Sequence, residues 1–230
     1  MSSAVGRAVA TRARSADLYD ARIVAVNLRR YQPIVEGLVL LALTLPLAVG
    51  LHLPTLWFLV PVAVITFRRR PYARYALSLR RPGSVYFHAA VMAAVFVPYV
   101  IGHYAFARWV LGATFRFRVP PELISSVLDQ IVVIALPEEV FFRGYLQTQF
   151  DLVWGRPYRL LGAQLGAGMM AAAALFAACH VIHGGPARLI VFFPGLLYGW
   201  LRARTGTIAV PCLYHAASNV LMEVMLASLH

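Results

Sequence analysis

The sequence predicts an all-α, polytopic membrane protein with one transmembrane domain, and three observations carry that prediction. Hydrophobic residues fill 60% of the 230 positions and charged residues only 13%, whereas about 25% of a soluble domain is charged. The apolar residues fall in runs long enough to cross or re-enter a bilayer. The 21 basic residues, all arginine, outnumber the 9 acidic ones, giving a net charge of +12, and gather between those runs. Arginines so placed are topology signals; a nucleic-acid-binding protein would carry them on an exposed polar face. The lipid bilayer is therefore an expected partner and nucleic acid is not.

The chain divides into a basic segment, residues 1–30, and a single helical domain, residues 31–230. The first segment alternates small residues with Arg7, Arg12, Arg14, Arg22, Arg29 and Arg30, and lacks the apolar core of a signal peptide. Ile34 to Gly50 is a first apolar span, Leu51 to Pro54 a tight turn, and Thr55 to Phe67 a short return span stopped by Arg68, Arg69 and Arg70. A polar loop through Arg74, Arg80 and Arg81 ends at Pro82-Gly83, and Val85 to Leu111 is the third span. Pro120-Pro121 opens the fourth helix, Glu122 to Phe150, as prolines do at a first turn. Asp151 to Arg159 is a polar loop. Leu160 to Ile182 is the fifth span, with Gly162, Gly166 and Gly168 letting helices approach closely. Leu189 to Leu201 is a short sixth span closed by Arg202 and Arg204, and Thr207 to Leu229 is the seventh. With seven spans the heaviest arginine clusters share one side, which puts the N-terminus in the cytoplasm. Arg116, Arg118 and Arg188 fall on the other side.

Inside the fourth apolar run stands Pro137-Glu138-Glu139-Val140-Phe141-Phe142-Arg143-Gly144. Ionisable residues at such depth are costly and mark a functional site. Glu139 and Arg143 are four apart and pair on one helix face, while Glu138 is turned away by about 100° and has no built-in counter-ion. Pro137 cannot donate a backbone hydrogen bond and clashes one turn back, which predicts a kink before the acidic pair and, within a membrane, a cavity. Two later helices repeat the pattern of spaced polar pairs: Phe176 with His180, and His215 with Asn219. Each residue alone has a structural explanation, but unpaired polar groups cost several kcal/mol in lipid unless they meet one another. Convergence on one site is the economical reading.

Glu138-Glu139-x-x-x-Arg143, Phe176-x-x-x-His180 and His215-x-x-x-Asn219, in that order on successive helices, resemble the motifs of the CAAX protease and bacteriocin-processing (CPBP) family. The motifs span Pro137 to Asn219, within a core of residues 120–229. The resemblance implies an intramembrane glutamic endopeptidase of seven to eight transmembrane helices, its active site inside the bundle. Glu138 and His180 would activate a water, His215 and Asn219 would hold the oxyanion, and Glu139, Arg143 and Phe176 would support them. It implies no cofactor, and a membrane-anchored or apolar-tailed polypeptide as substrate in a cell's inner membrane. Nothing in the sequence reads a prenyl group, so a CAAX tail is not implied.

Other readings of the same residues stay open at the level of sequence. Glu138, His180 and His215 are acceptable zinc ligands with a fourth position free, although there is no HExxH and the His180/His183 spacing is a weak substitute. Cys179 or Cys212 could work with His215, but neither has the neighbouring positive charge that activates a thiol; both read as packing residues. A scaffold, immunity factor or carrier could use the same intramembrane polar groups without catalysis, but the internal repeat typical of carriers is absent.

Overall fold

A computed structural model describes residues 29–78 and 83–230, apart from the side chain of His183. Most of the basic N-terminal segment, and the Arg80-Arg81-Pro82 stretch of the first polar loop, lie outside the described residues. The architecture is a bundle of seven helical rods: α1 (Arg29–Gly50), α2 (Leu56–Phe67), α3 (Val85–Trp109), α4 (123–154), α5 (Ala167–Gly184), α6 (Phe192–Thr205) and α7 (Ala209–Ala227). Short 3-10 turns at Tyr72–Tyr75 and Pro186–Val191 join them. Three rods, α1, α3 and α7, are long and apolar enough to cross a membrane; α2 and Ala167–Ile182 are shorter apolar helices. Three helices of spanning length among the described residues thus stand beside the expectation of seven to eight.

One all-helical expectation is corrected. The apolar run from Leu160 does not begin a helix; Tyr158–Leu160 (β1) and Ala163–Leu165 (β2) pair antiparallel as a hairpin. Its two turn residues, Leu161 and Gly162, both have positive φ, at 46° and 80°, the backbone of a type I′ turn, whose twist suits a two-residue hairpin. Hydrophobicity concealed that turn, because Leu at the first position is an unusual choice. Gly168, by contrast, does what close helix approach requires. A Cβ there would stand 3.0 Å from Phe150 Cβ and from the Asp151 nitrogen of α4, so α5 packs with its backbone nearly touching that of its neighbour.

α4 is the central rod. Every residue from Pro137 to Asp151 is buried, and its Phe141, Phe142, Leu146 and Phe150 form the main core with Leu41 and Ala48 of α1, Trp57 of α2, and Ala172 and Phe176 of α5. Val140 packs with Ile208, and Ala135 with Cys212 and Ala216 of α7. α3 lies outside, with none of its most apolar window buried, and reaches α7 through His88 to Tyr214 and Tyr99 to Met222. A membrane protein turns such a face to lipid.

The arginines collect at one end of the bundle. Glu36 of α1 accepts Arg70 through both carboxylate oxygens, at 2.6 and 2.9 Å, and is bonded by Tyr145 and Gln149 of α4. Those hydrogen bonds raise the Arg70 pKa above its ordinary value. Asp151 pairs with Arg156 at 3.1 Å and Arg202 at 3.3 Å, and Arg202 also reaches Thr148 and the Arg74 carbonyl. Contacts thus bind the 68–74, 156–159 and 202–204 clusters into a single belt. At the opposite end the backbone of Thr114 and Arg116 bonds His230 and Ser228, and Ser126 of α4 donates to Glu223 of α7.

Replacing Gly168 by Val should lower the thermal stability of the detergent-solubilised protein by about 1–3 kcal/mol, the usual cost of overpacking. Unfolding of the variant and the parent in the same micelle checks it, and an unchanged midpoint would mean that α4 and α5 are not in backbone contact.

Candidate active site

The acidic doublet sits on a single α-helical turn, Leu136–Glu139, set between two π-helical stretches, Gln130–Ala135 and Val140–Leu146. Pro137 gives the first stretch a physical cause. Its ring would crowd a carbonyl one α-turn back and it donates no hydrogen bond, and widening the helix, so that the Leu136 N–H reaches the Ile131 carbonyl five residues back, absorbs both defects. The expected disturbance before the doublet therefore takes the form of a π-helical widening.

The two glutamates are in different surroundings. Glu139 is wholly buried, and its Oε1 meets Arg143 Nη1 at 2.9 Å and His215 Nδ1 at 3.0 Å. Arg143, also buried, has its guanidinium 4.0 Å from the centre of the Phe176 ring and 5.2 Å from that of Tyr198, and Nη2 donates to the Gly195 carbonyl at 3.4 Å. A charge so placed is paired, hydrogen-bonded and stacked, the conditions under which burial is tolerated. Glu138 Oε2 is buried without a hydrogen-bond partner and stands 3.7 Å from His215 Nε2. It is the carboxylate offered to the cavity.

That cavity, about 730 Å³, is lined by Glu138, His180, His215 and Asn219 together. Helical spacing thus brings all four onto one space, including His180, which the sequence places nearer a helix end than the other three. Ring orientations follow from their partners. A carboxylate only accepts, so His215 Nδ1 carries the proton toward Glu139, and Nε2 faces Glu138 with a lone pair in the neutral ring or a proton in the imidazolium. His180 Nδ1 donates to the Phe176 carbonyl at 2.9 Å, which leaves its Nε2 free to accept. Asn219 Nδ2 donates to Gln130 Oε1 at 2.7 Å, and its second N–H is unspent. The arrangement offers a carboxylate and an imidazole that can take a proton, and an imidazolium and an amide that can donate.

Cys179 and Cys212 are both buried free thiols. Cys179 borders the cavity, while Cys212 packs against Ala135 and Ala216. Among the described residues no three His, Cys, Asp or Glu side chains are grouped as a metal-ligand set.

Sequence reasoning missed Tyr198. Its ring lies nearly parallel to His215, 5.0 Å between centres and 19° between planes, and its hydroxyl donates to Ser218. One signal was present: Gly195 and Gly199 are four apart and flank Tyr198, marking the face of α6 that approaches other helices. Gln130 was missed as well, because a lone glutamine before an apolar run gives no hint of Asn219 eighty-nine residues later.

Arg143→Ala should destabilise the protein by about 3–5 kcal/mol, the usual cost of stranding one buried charge, because Glu139 would keep only His215. Yield of folded protein and thermal midpoint in detergent measure this. A variant as stable as the parent would show the pair to be dispensable.

Residues 120–221 match the family model described as Type II CAAX prenyl endopeptidase Rce1-like. No curated protein and no solved structure matches the chain. The matched segment begins before α4 and runs past Asn219, so it contains the acidic doublet, Arg143, both histidines and the asparagine. This CAAX-protease family supports a peptidase, and with the apolar helices it supports a membrane protein. Residues 120–221, built around the cavity, are thus similar to an Rce1-like CAAX endopeptidase domain.

Proposed function

We propose that this protein is an intramembrane glutamic endopeptidase that hydrolyses a peptide bond in or beside a membrane-anchored segment. One observation carries the reading: of two adjacent buried carboxylates, Glu139 is engaged through Oε1 by Arg143 and His215, while Glu138 lines the cavity, 3.7 Å from His215. Glu138 takes a proton from a water whose other hydrogen is accepted by His180 Nε2. The resulting hydroxide adds to the scissile carbonyl carbon. His215, as imidazolium donating from Nε2, and Asn219 Nδ2 hold the oxyanion. Collapse breaks the C–N bond, and Glu138 returns the proton to the departing amine. Glu139 fixes the His215 tautomer, and Arg143, clamped by Phe176, fixes Glu139. No step uses a metal.

The substrate follows from the depth of the site. A buried cavity admits a chain that enters from the membrane or threads in from one face, and excludes folded soluble proteins. The susceptible bond lies in an extended stretch, because a helix keeps its carbonyls bonded and screened from an attacking water.

Glu138→Gln keeps the shape and removes the base, so cleavage of a membrane-anchored reporter should fall by about 100- to 10,000-fold, the range for loss of a general base, with the thermal midpoint little changed. Cleavage assayed by mass spectrometry at the parental rate would refute the role. Exhaustive chelation should leave the parental rate intact; loss on chelation with recovery on added zinc would move Glu138, His180 and His215 to metal ligation.

A further inference from the structure

α4 and α7 are joined along the cavity by a ladder of polar contacts, one rung for each helical turn of α7. His215 bonds Glu139, Asn219 Nδ2 donates to Gln130 Oε1 at 2.7 Å, and Ser126 donates to Glu223. On α7 the three partners are spaced by four and share a face, as helical geometry dictates. On α4 the spacing is irregular, since four residues separate Ser126 from Gln130 but eight separate Gln130 from Glu138. In an uninterrupted α-helix a separation of eight turns the second residue about 80° from the first. Gln130–Ala135 is π-helical, with the Leu136 N–H bonded to the Ile131 carbonyl, and a bond closed five residues back takes up one residue more than an α-turn. Counted as about seven α-helical steps, the offset falls to about 20°. Both side chains accordingly line the cavity. The widening that Pro137 imposes thus brings Gln130 onto the face that carries Glu138.

The geometry points to Gln130 as a positioning residue that fixes which way the Asn219 amide faces. Its meaning for catalysis rests on the proteolytic reading, in which Asn219 Nδ2 holds the oxyanion. A side-chain amide carries an acceptor oxygen on one side and a donor nitrogen on the other, and a half-turn about its last bond exchanges them. Turned the wrong way, Asn219 would set lone pairs against a developing negative charge, in a setting where electrostatic errors are poorly screened. Gln130 Oε1 can only accept, so it holds Nδ2 in place through one N–H and leaves the other N–H for the oxyanion. Among the described residues no other side-chain hydrogen bond fixes either amide. Both residues are half-buried at the cavity wall, where solvent alone would leave the amide free to turn.

Two measurements test this, one of them independent of cleavage. Asparagine stands only at positions 27 and 219, so isotopic labelling of asparagine side-chain nitrogen gives two amide signals in the full-length protein, and the one lost in Asn219→Ala belongs to residue 219. In Gln130→Met the hydrogen-bonded proton of that amide should exchange with water about tenfold faster than in the parent, as expected for a lost hydrogen bond. For an anchored reporter, Gln130→Met should lower kcat by about 10- to 100-fold with KM unchanged, less than the roughly 100- to 1,000-fold expected when Asn219→Ala removes an oxyanion donor. Because Gln130 acts through Asn219, adding Gln130→Met to Asn219→Ala should change kcat by less than about twofold. Ser126→Ala, which removes the neighbouring rung and leaves Asn219 bonded, should leave kcat as it was. Gln130→Leu repeats each measurement, so that one poorly folded variant does not decide the result. Unaltered amide exchange or an unaltered kcat in Gln130→Met overturns the assignment. So does a loss of kcat that multiplies with Asn219→Ala or that Ser126→Ala reproduces, since either marks a general packing effect. If the parent cuts no anchored reporter while the amide responds as expected, the positioning of Asn219 stands and the proteolytic reading fails.

Discussion

Arg143 is a cation with almost no contact to solvent, and the architecture of the site is arranged so that it can remain one. Glu139 neutralises it, Gly195 accepts a hydrogen bond from its Nη2, and the rings of Phe176 and Tyr198 lie against its guanidinium. Those partners come from α4, α5 and α6. Through Glu139 the same cluster reaches His215 on α7. One buried charge therefore registers four helices against each other. A hydrophobic replacement could pack as well, but it would not specify where the His215 ring must sit. The glycines serve the same end, since a Cβ at Gly195 would press on Arg143 Nη2 at 3.3 Å.

On the proposed mechanism, this clamp also gives a reason for there being two glutamates. Water-activating chemistry asks a carboxylate to be held in place and yet left without a strong partner. One residue cannot meet both demands, because the hydrogen bonds that would hold it also quench it. Adjacent residues on a helical turn can divide them. Glu139 takes the fixed contacts and Glu138, on the neighbouring face, inherits a rigid backbone while its own oxygen stays unbonded. The π-helical stretches on either side belong to the same design, for they let the turn carrying both residues depart from the register of an ordinary helix.

Much of this was legible in the sequence, and the limits have physical causes. Spacings of four residues placed Glu139 with Arg143 and Phe176 with His180, because a helix turns those positions to one side whatever surrounds it; both pairs are in contact. The small residues before α5 were legible only in part. Gly168 marks a close helix approach, but Gly162 serves a hairpin turn, and hydropathy does not distinguish the two. Span counting was weaker still. A helix such as α6, fourteen residues long and ending in arginines, is apolar enough to suggest a membrane yet draws its burial from neighbouring helices. Long-range partnerships, Tyr198 with His215 or Gln130 with Asn219, depend on how helices pack and leave no local trace.

The polarity of the bundle joins these points. Charges that stabilise the fold cluster at the arginine belt, where Glu36 and Asp151 each hold more than one arginine. Toward the cavity lies Glu138, whose Oε2 has no hydrogen-bond partner. Such a division suits the proposed hydrolysis within a membrane. Water must reach the scissile bond, so one end has to be open and polar; the protein must also hold its helices in register without help from the bilayer, which contributes no hydrogen bonds. Glu138 lies at the boundary between those two halves, one residue beyond the last group that the clamp fixes. Its place there joins the rigidity of the packed half to the solvent access of the open half, and a carboxylate one turn to either side would have only one of them.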